Sequence, residues 1–98
     1  MAKKGYLVSA YRSIKDPEKL QAYAKLAGPA FQKFGARYVA RDTAAQAYES
    51  GVKQRIVIVE FPSVATAIEA HDSADYQAAL KVLGDGAERD MRIVEGLE

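Results

Sequence analysis

His71 is the only histidine in the chain and the first residue whose type suggests chemistry, because an imidazole exchanges protons near neutral pH. It falls on the apolar stripe of a predicted helix, just before a break at Asp72-Ser73. That position suits a catalytic base looking into the space between helices and sheet, although such a residue is more often a hydrogen-bonded structural histidine. Asp75 stands four residues on, yet two ligands leave a metal site incomplete and the helix breaks between them, so no metal is expected.

Glu60 interrupts an apolar strand on the same side as Ile56 and Ile58, and a carboxylate turned toward a buried face must find a partner. By alternation Arg37 and Arg41 share one side of the neighbouring strand and can supply it. A Glu60 to Arg41 pair would suit recognition of a small polar or anionic ligand, and an ion pair fixing strand register or dimer alignment would use the same residues. Tyr11, Tyr23 and Tyr38 could turn hydroxyls into a pocket, or serve as core residues with a wet tip.

Other chemistries lack their residues. The chain has no cysteine, which removes thiol nucleophiles, thiolate metal sites and disulfides. Gly84-Asp85-Gly86 follows a helix and contains an acid, so it is no phosphate cradle, and no serine sits in a nucleophile elbow. Fourteen basic residues against thirteen acidic ones give a formal charge of +1, too weak a field to gather nucleic acid or anionic lipid. Positions that stack bases in RNA-binding domains of the same element order are here Ile56, Val57, Ile58 and Val59.

The elements that must position these residues follow from pattern. Tyr6 to Arg12 reads as a first strand. Asp16 then caps a helix with Pro17 at its first position, and Leu20, Tyr23, Ala24, Ala27, Phe31 and Phe34 recur at helical spacing, with a kink or restart expected at Gly28-Pro29. Ala36 to Arg41 is a second strand, predicted to continue to a turn near Ser50-Gly51, and Arg55 to Phe61 is the clearest strand of all. Ser63 caps a second helix that breaks and restarts at Asp72-Ser73 and ends at Gly84, and Met91 to Glu95 is the last strand.

This is βαββαβ order: a four-stranded antiparallel sheet, first and third strands central, with two helices on one face. In the third strand Val57, Val59 and Phe61 point one way and Ile56 and Ile58 the other, so both faces are apolar, whereas a solvated face would alternate with polar residues. A homodimer packed sheet to sheet is the simplest cover. The 98 residues, 49% hydrophobic and 28% charged, suit one domain over residues 1–98. The basic start Met1-Ala2-Lys3-Lys4 precedes too short an apolar run for a signal peptide, no run approaches a membrane span, and a cytoplasmic location is expected.

Four stretches, Gly28 to Arg41, Ile58 to Ser63, Asp72 to Gln77 and Arg92 to Gly96, resemble the domain-of-unknown-function 1330 family. The resemblance implies a ferredoxin-like α+β fold of the dimeric α+β barrel superfamily and carries no established catalytic residues. Asp42-Thr43 stand where that family often has a glycine pair, Ala74 where it often has proline, and His71 where a bulky aromatic is more usual. Relatives in the wider superfamily include cofactor-independent monooxygenases, small isomerases and haem enzymes, so architecture alone chooses no chemistry. The leading expectation is a dimer binding a small organic ligand between sheet and helices, with no cofactor. The alternative is a cofactor-independent monooxygenase or isomerase acting on a small aromatic or unsaturated acid, with His71 as base and Arg41 as anion anchor.

Overall fold

Leu7, Ser9 and Tyr11 alternate with Tyr6, Val8 and Ala10 along strand β1 (Gly5–Ile14), and only the first set is buried in the computed structural model, which describes residues 3–97. Met1 and Ala2 of the basic start, and Glu98, lie outside the described residues. Helix α1 (Pro17–Gln32) begins as expected, with Asp16 Oδ1 accepting from the amides of Glu18 and Lys19 at 3.1 and 3.2 Å. It runs through Pro29 without restarting, although the proline lacks the N–H that would donate to the Lys25 carbonyl. Gly35, at φ +76°, then turns the chain back toward the sheet.

Strands β2 (Arg37–Thr43) and β3 (Arg55–Phe61) form an antiparallel hairpin with β2 at the sheet edge. The predicted extension of β2 to Ser50 is absent; residues 44–54 form a loop closed at its base by Ala44 N–H to Gln54 C=O at 2.9 Å. No β-branched residue lies between Ala44 and Gly51, and β3 supplies no partner beyond Arg55, which already pairs with Thr43.

The second helix comes in two pieces, α2 (Val64–Asp72) and α3 (Ala74–Leu83). Ser73 closes one and opens the other: its hydroxyl donates to Ala70 C=O at 2.7 Å and accepts from the Tyr76 amide at 3.3 Å. Strand β4 (Ala87–Glu95) begins four residues earlier than its apolar run suggested. All strand pairs are antiparallel in the order β2-β3-β1-β4, so the first and third strands are central as expected.

One core lies between sheet and helices. Leu7, Val59 and Phe61 from the strands meet Phe31, Ala67 and Tyr76 from the helices, each at most 2% exposed. The Phe31 ring stacks on Tyr76 at 4.5 Å and meets Phe61 edge-on at 5.4 Å. The molecule is therefore a slab, 40 × 33 × 15 Å in its Cα extents. On its other broad face Val8, Ala10, Ile56 and Ile58 are only partly buried and Val94 is 56% exposed, with no helix over them.

Candidate functional site

Strand register decides which side chains meet. On the helix-covered face, one cross-strand row runs Arg41, Val57, Ser9, Met91, and the next holds Arg55 and Tyr11 beside Arg89. Helix α1 lies over these rows and contributes Leu20, Tyr23 and Ala27 to a shared cavity. Its volume is about 40 Å³, room for roughly three water molecules where ~10–15 Å³ holds one.

Arg41 reaches this cavity through a β-bulge. The pairing of β2 with β3 slips between Tyr38 and Ala40, making Val39 the extra residue. Simple alternation puts Arg37 and Arg41 on one side; the bulge puts Arg37 opposite Glu60 on the outer face and Arg41 opposite Val57 on the inner one. The expected Glu60 to Arg41 pair is thereby replaced: Arg37 Nε donates to Glu60 Oε1 at 3.3 Å, and Arg41 lies over the Tyr38 ring, 4.8 Å from its centroid. Burial, with Tyr23 nearby, holds the Tyr38 phenol above its usual range against the opposing pull of Arg41, so it remains an O–H donor.

Arg55 and Arg89 are the members that sequence reasoning missed. Both lie over Tyr11, at 6.0 and 5.5 Å from the ring centroid. Arg89 Nη1 also donates to the Tyr23 hydroxyl at 3.0 Å, and that hydroxyl lies 2.6 Å from the Tyr76 hydroxyl. Tyr76 donates in turn to Met91 Sδ at 4.0 Å, so the chain runs from Arg89 through both phenols. Continuing the buried alternation backward, from Val57 to Arg55 and from Met91 to Arg89, was the signal available. Two buried polar atoms of residues that line this cavity have no hydrogen-bond partner among the described residues: the hydroxyl of Ser9, which is 3% exposed, and Nε of Arg55.

Of the residues singled out from sequence, Arg41, Tyr11 and Tyr38 meet here, together with Tyr23. His71 does not; it lines a more open neighbouring depression with Leu7, Met91 and Ile93, of which Leu7 and Met91 also border the first. Its Nδ1 lies 3.0 Å from Asp72 Oδ1 and its ring is 5.2 Å from that of Tyr76. Among the described residues no three of His, Cys, Asp and Glu converge to hold a metal ion, and no helix is long and apolar enough to cross a membrane.

Arg37 and Glu60 belong to the outer face, where Tyr6 O–H also donates to Glu60 Oε2 at 2.8 Å. The Tyr6 hydrogen bond and then Arg37 hold the Glu60 carboxyl below the ordinary 4.5, and the same bond raises Tyr6. A carboxyl depressed by folding stabilises fully above its unfolded value and loses that contribution as pH falls through its folded one. The melting-temperature difference between the parent protein and Glu60→Gln is therefore expected to stay constant near neutrality and to shrink below about pH 4.5. Melting curves across this range that keep a constant difference would contradict the network.

The sequence profile of a family described as a domain of unknown function, DUF1330, matches residues 4–97. The chain belongs to this family. No curated protein matches the DUF1330 chain by sequence. Among solved structures it is similar to a protein of unknown function from Rhodopseudomonas palustris, 19% identical, at a TM-score of 0.76 over 100% of this chain and 85% of that one. It is also similar to a dimeric ferredoxin-like protein of unknown function from Thermobifida fusca, 11% identical, TM-score 0.65, covering 97% and 92%. A third likeness is to SnoaB, a cofactor-independent oxygenase from Streptomyces nogalater, 9% identical, TM-score 0.63, covering 99% and 96%. At these identities the likenesses show the fold, which is the ferredoxin-like α+β one.

Proposed function

We propose that this DUF1330 protein is a homodimer joined through the outer faces of its sheets, and that each subunit binds a small organic ligand in the cavity beneath α1. The dimer is supported by the bare apolar face of the slab and by the dimeric state named for the Thermobifida fusca protein. In such a dimer Arg37, Glu60 and Tyr6 form a polar network at the joined faces.

One observation carries the binding reading: the Ser9 hydroxyl and Arg55 Nε, buried and without partners among the described residues, belong to two residues that line the same cavity. Leaving such a group unsatisfied costs about 1–3 kcal/mol, so a fold that keeps two of them together gains by a partner arriving. Tyr11, Tyr38 and Arg41 add a polar rim to apolar walls, the usual composition of a ligand site. The small volume admits the head of a ligand, whose body then extends past Arg41, the exposed member of the set.

A second reading, a cofactor-independent oxygenase or isomerase, is favoured by the likeness to SnoaB. In this chain His71 lies outside the cavity that holds Arg41, so a base at His71 and an anchor at Arg41 would not face one bound molecule. A thermal-shift screen with small organic acids, phenols and quinones separates the readings. A ligand at ~100 times its Kd adds about 2.7 kcal/mol, worth roughly 10 °C or more in a domain of this size. Hits recovered unchanged support the binder, hits consumed on incubation in air support the enzyme, and a flat screen counts against both.

A further inference from the structure

Resting on the reading just given, we propose that the cavity is a carboxylate site, in which Arg41, Arg55, Arg89 and the Ser9 hydroxyl hold the acid group of a small aromatic monocarboxylate. The first argument is charge. The chain has six arginines; Arg12 and Arg92 meet Asp90, and Arg37 meets Glu60. The other three all line this cavity, none has a carboxylate partner among the described residues, and no acidic side chain lines the space between them. In a protein of formal charge +1, three uncompensated guanidiniums around one small space are a concentrated positive field. Arg55 and Arg89 are half-buried, where an unpaired charge is costly, and the ring face of Tyr11 between them offsets only part of that cost.

Geometry supplies the second argument. Arg89 is aimed by its hydrogen bond to Tyr23, itself tied to the fully buried Tyr76, so one donor is used for aiming and the rest of the fork is free. Ser9 sits in the adjoining cross-strand row, diagonal to both Arg55 and Arg89, and its hydroxyl has no other use. A planar acceptor with two oxygens matches guanidinium forks and a single O–H donor. The ring-shaped body then extends past Arg41, beside the half-buried Tyr38 and Leu20.

Calorimetric titration at fixed ionic strength with benzoate, acetate, benzamide, phenol, phosphate and chloride tests this on the 98-residue chain. Benzoate is expected to bind at least tenfold more tightly than its neutral isostere benzamide, acetate weakly, and phosphate and chloride no better than acetate. Arg89→Gln and Arg55→Gln should each weaken benzoate at least tenfold. Ser9→Ala guards against variants that merely fail to fold: removing a hydroxyl that has no partner should leave the unliganded melting temperature unchanged or higher and still weaken benzoate several-fold. If benzamide or neutral phenols bind as tightly as benzoate and the arginine variants change nothing, the cavity binds ligands but the carboxylate assignment is overturned. Tighter binding of phosphate or chloride also overturns it. If neither the acids nor the neutral compounds bind at millimolar concentration, both the assignment and the binding reading fall.

Discussion

Tyr76→Ala is expected to lower the melting temperature by at least about 12 °C, because large-to-small changes of buried aromatic residues cost roughly 3–5 kcal/mol and each kcal/mol moves a domain of this size by about 4–8 °C. Tyr76 has no exposed surface, and it joins three parts of the fold. Its ring stacks on Phe31 of α1 at 4.5 Å, meets Tyr23 of the same helix edge-on at 5.9 Å, and packs beside His71 of α2. Burial, reinforced by Tyr23, holds its phenol far above the usual range, so it is a neutral hydrogen-bonding group at every accessible pH. Tyr76→Phe keeps the ring and removes only the hydroxyl, leaving Tyr23 its bond from Arg89, so the expected loss is about 1 kcal/mol. Thermal melts at one protein concentration decide the matter. Similar losses for the two variants would mean that the hydroxyl chain, and not the packed ring, holds the helices to the sheet.

Much of this architecture was legible because local signals agreed with one another. Asp16-Pro17 opened α1, Ser63 opened α2, and the Asp72-Ser73 break marked where one serine serves two helices. The run Arg55 to Phe61 matched β3 at both ends, since β-branched residues fill it and Pro62 cannot extend it. Residues 44–50 failed as a strand for the reason that period-2 reasoning counts side chains and not partners: no strand is in place to pair with Ala44 to Ser50.

The site was half legible. Tyr11 and Tyr38 were candidates for either pocket or core and line the cavity here, whereas Arg41 reached it for a reason alternation cannot contain. A bulge adds one residue and inverts every position after it, so Val39 changed Arg41 from a partner of Glu60 into a neighbour of Tyr38. Arg55 and Arg89 went unseen because a charged residue at the end of an apolar strand reads as the point where the strand leaves the core. Here both continue the inward stripe, and what tolerates them is Tyr11 lying between the two guanidiniums with Tyr23 as an acceptor for one.

Ile58→Asp is expected to dissociate the proposed dimer into folded monomers at micromolar concentration. Ile58 lies in the middle of the outer face, paired with Val8 on β1 and Ala40 on β2, so any sheet-to-sheet association of two copies must bury it. A symmetric interface repeats each change, so one substitution places two carboxylates in the joint. At several kcal/mol for each unpaired buried charge, dissociation should become favoured by roughly a thousandfold or more. The isolated subunit has no such objection, because in it this side chain borders solvent and the inner core is untouched. Sedimentation should therefore fall from twice the 10.7 kDa chain mass to the single value, while the far-ultraviolet circular dichroism stays that of the parent. A parent protein that already sediments as a monomer would show that water tolerates this apolar face. A variant that stays dimeric would move the contact to another surface, and Arg37, Glu60 and Tyr6 would then be a solvent-facing network with no partner to align.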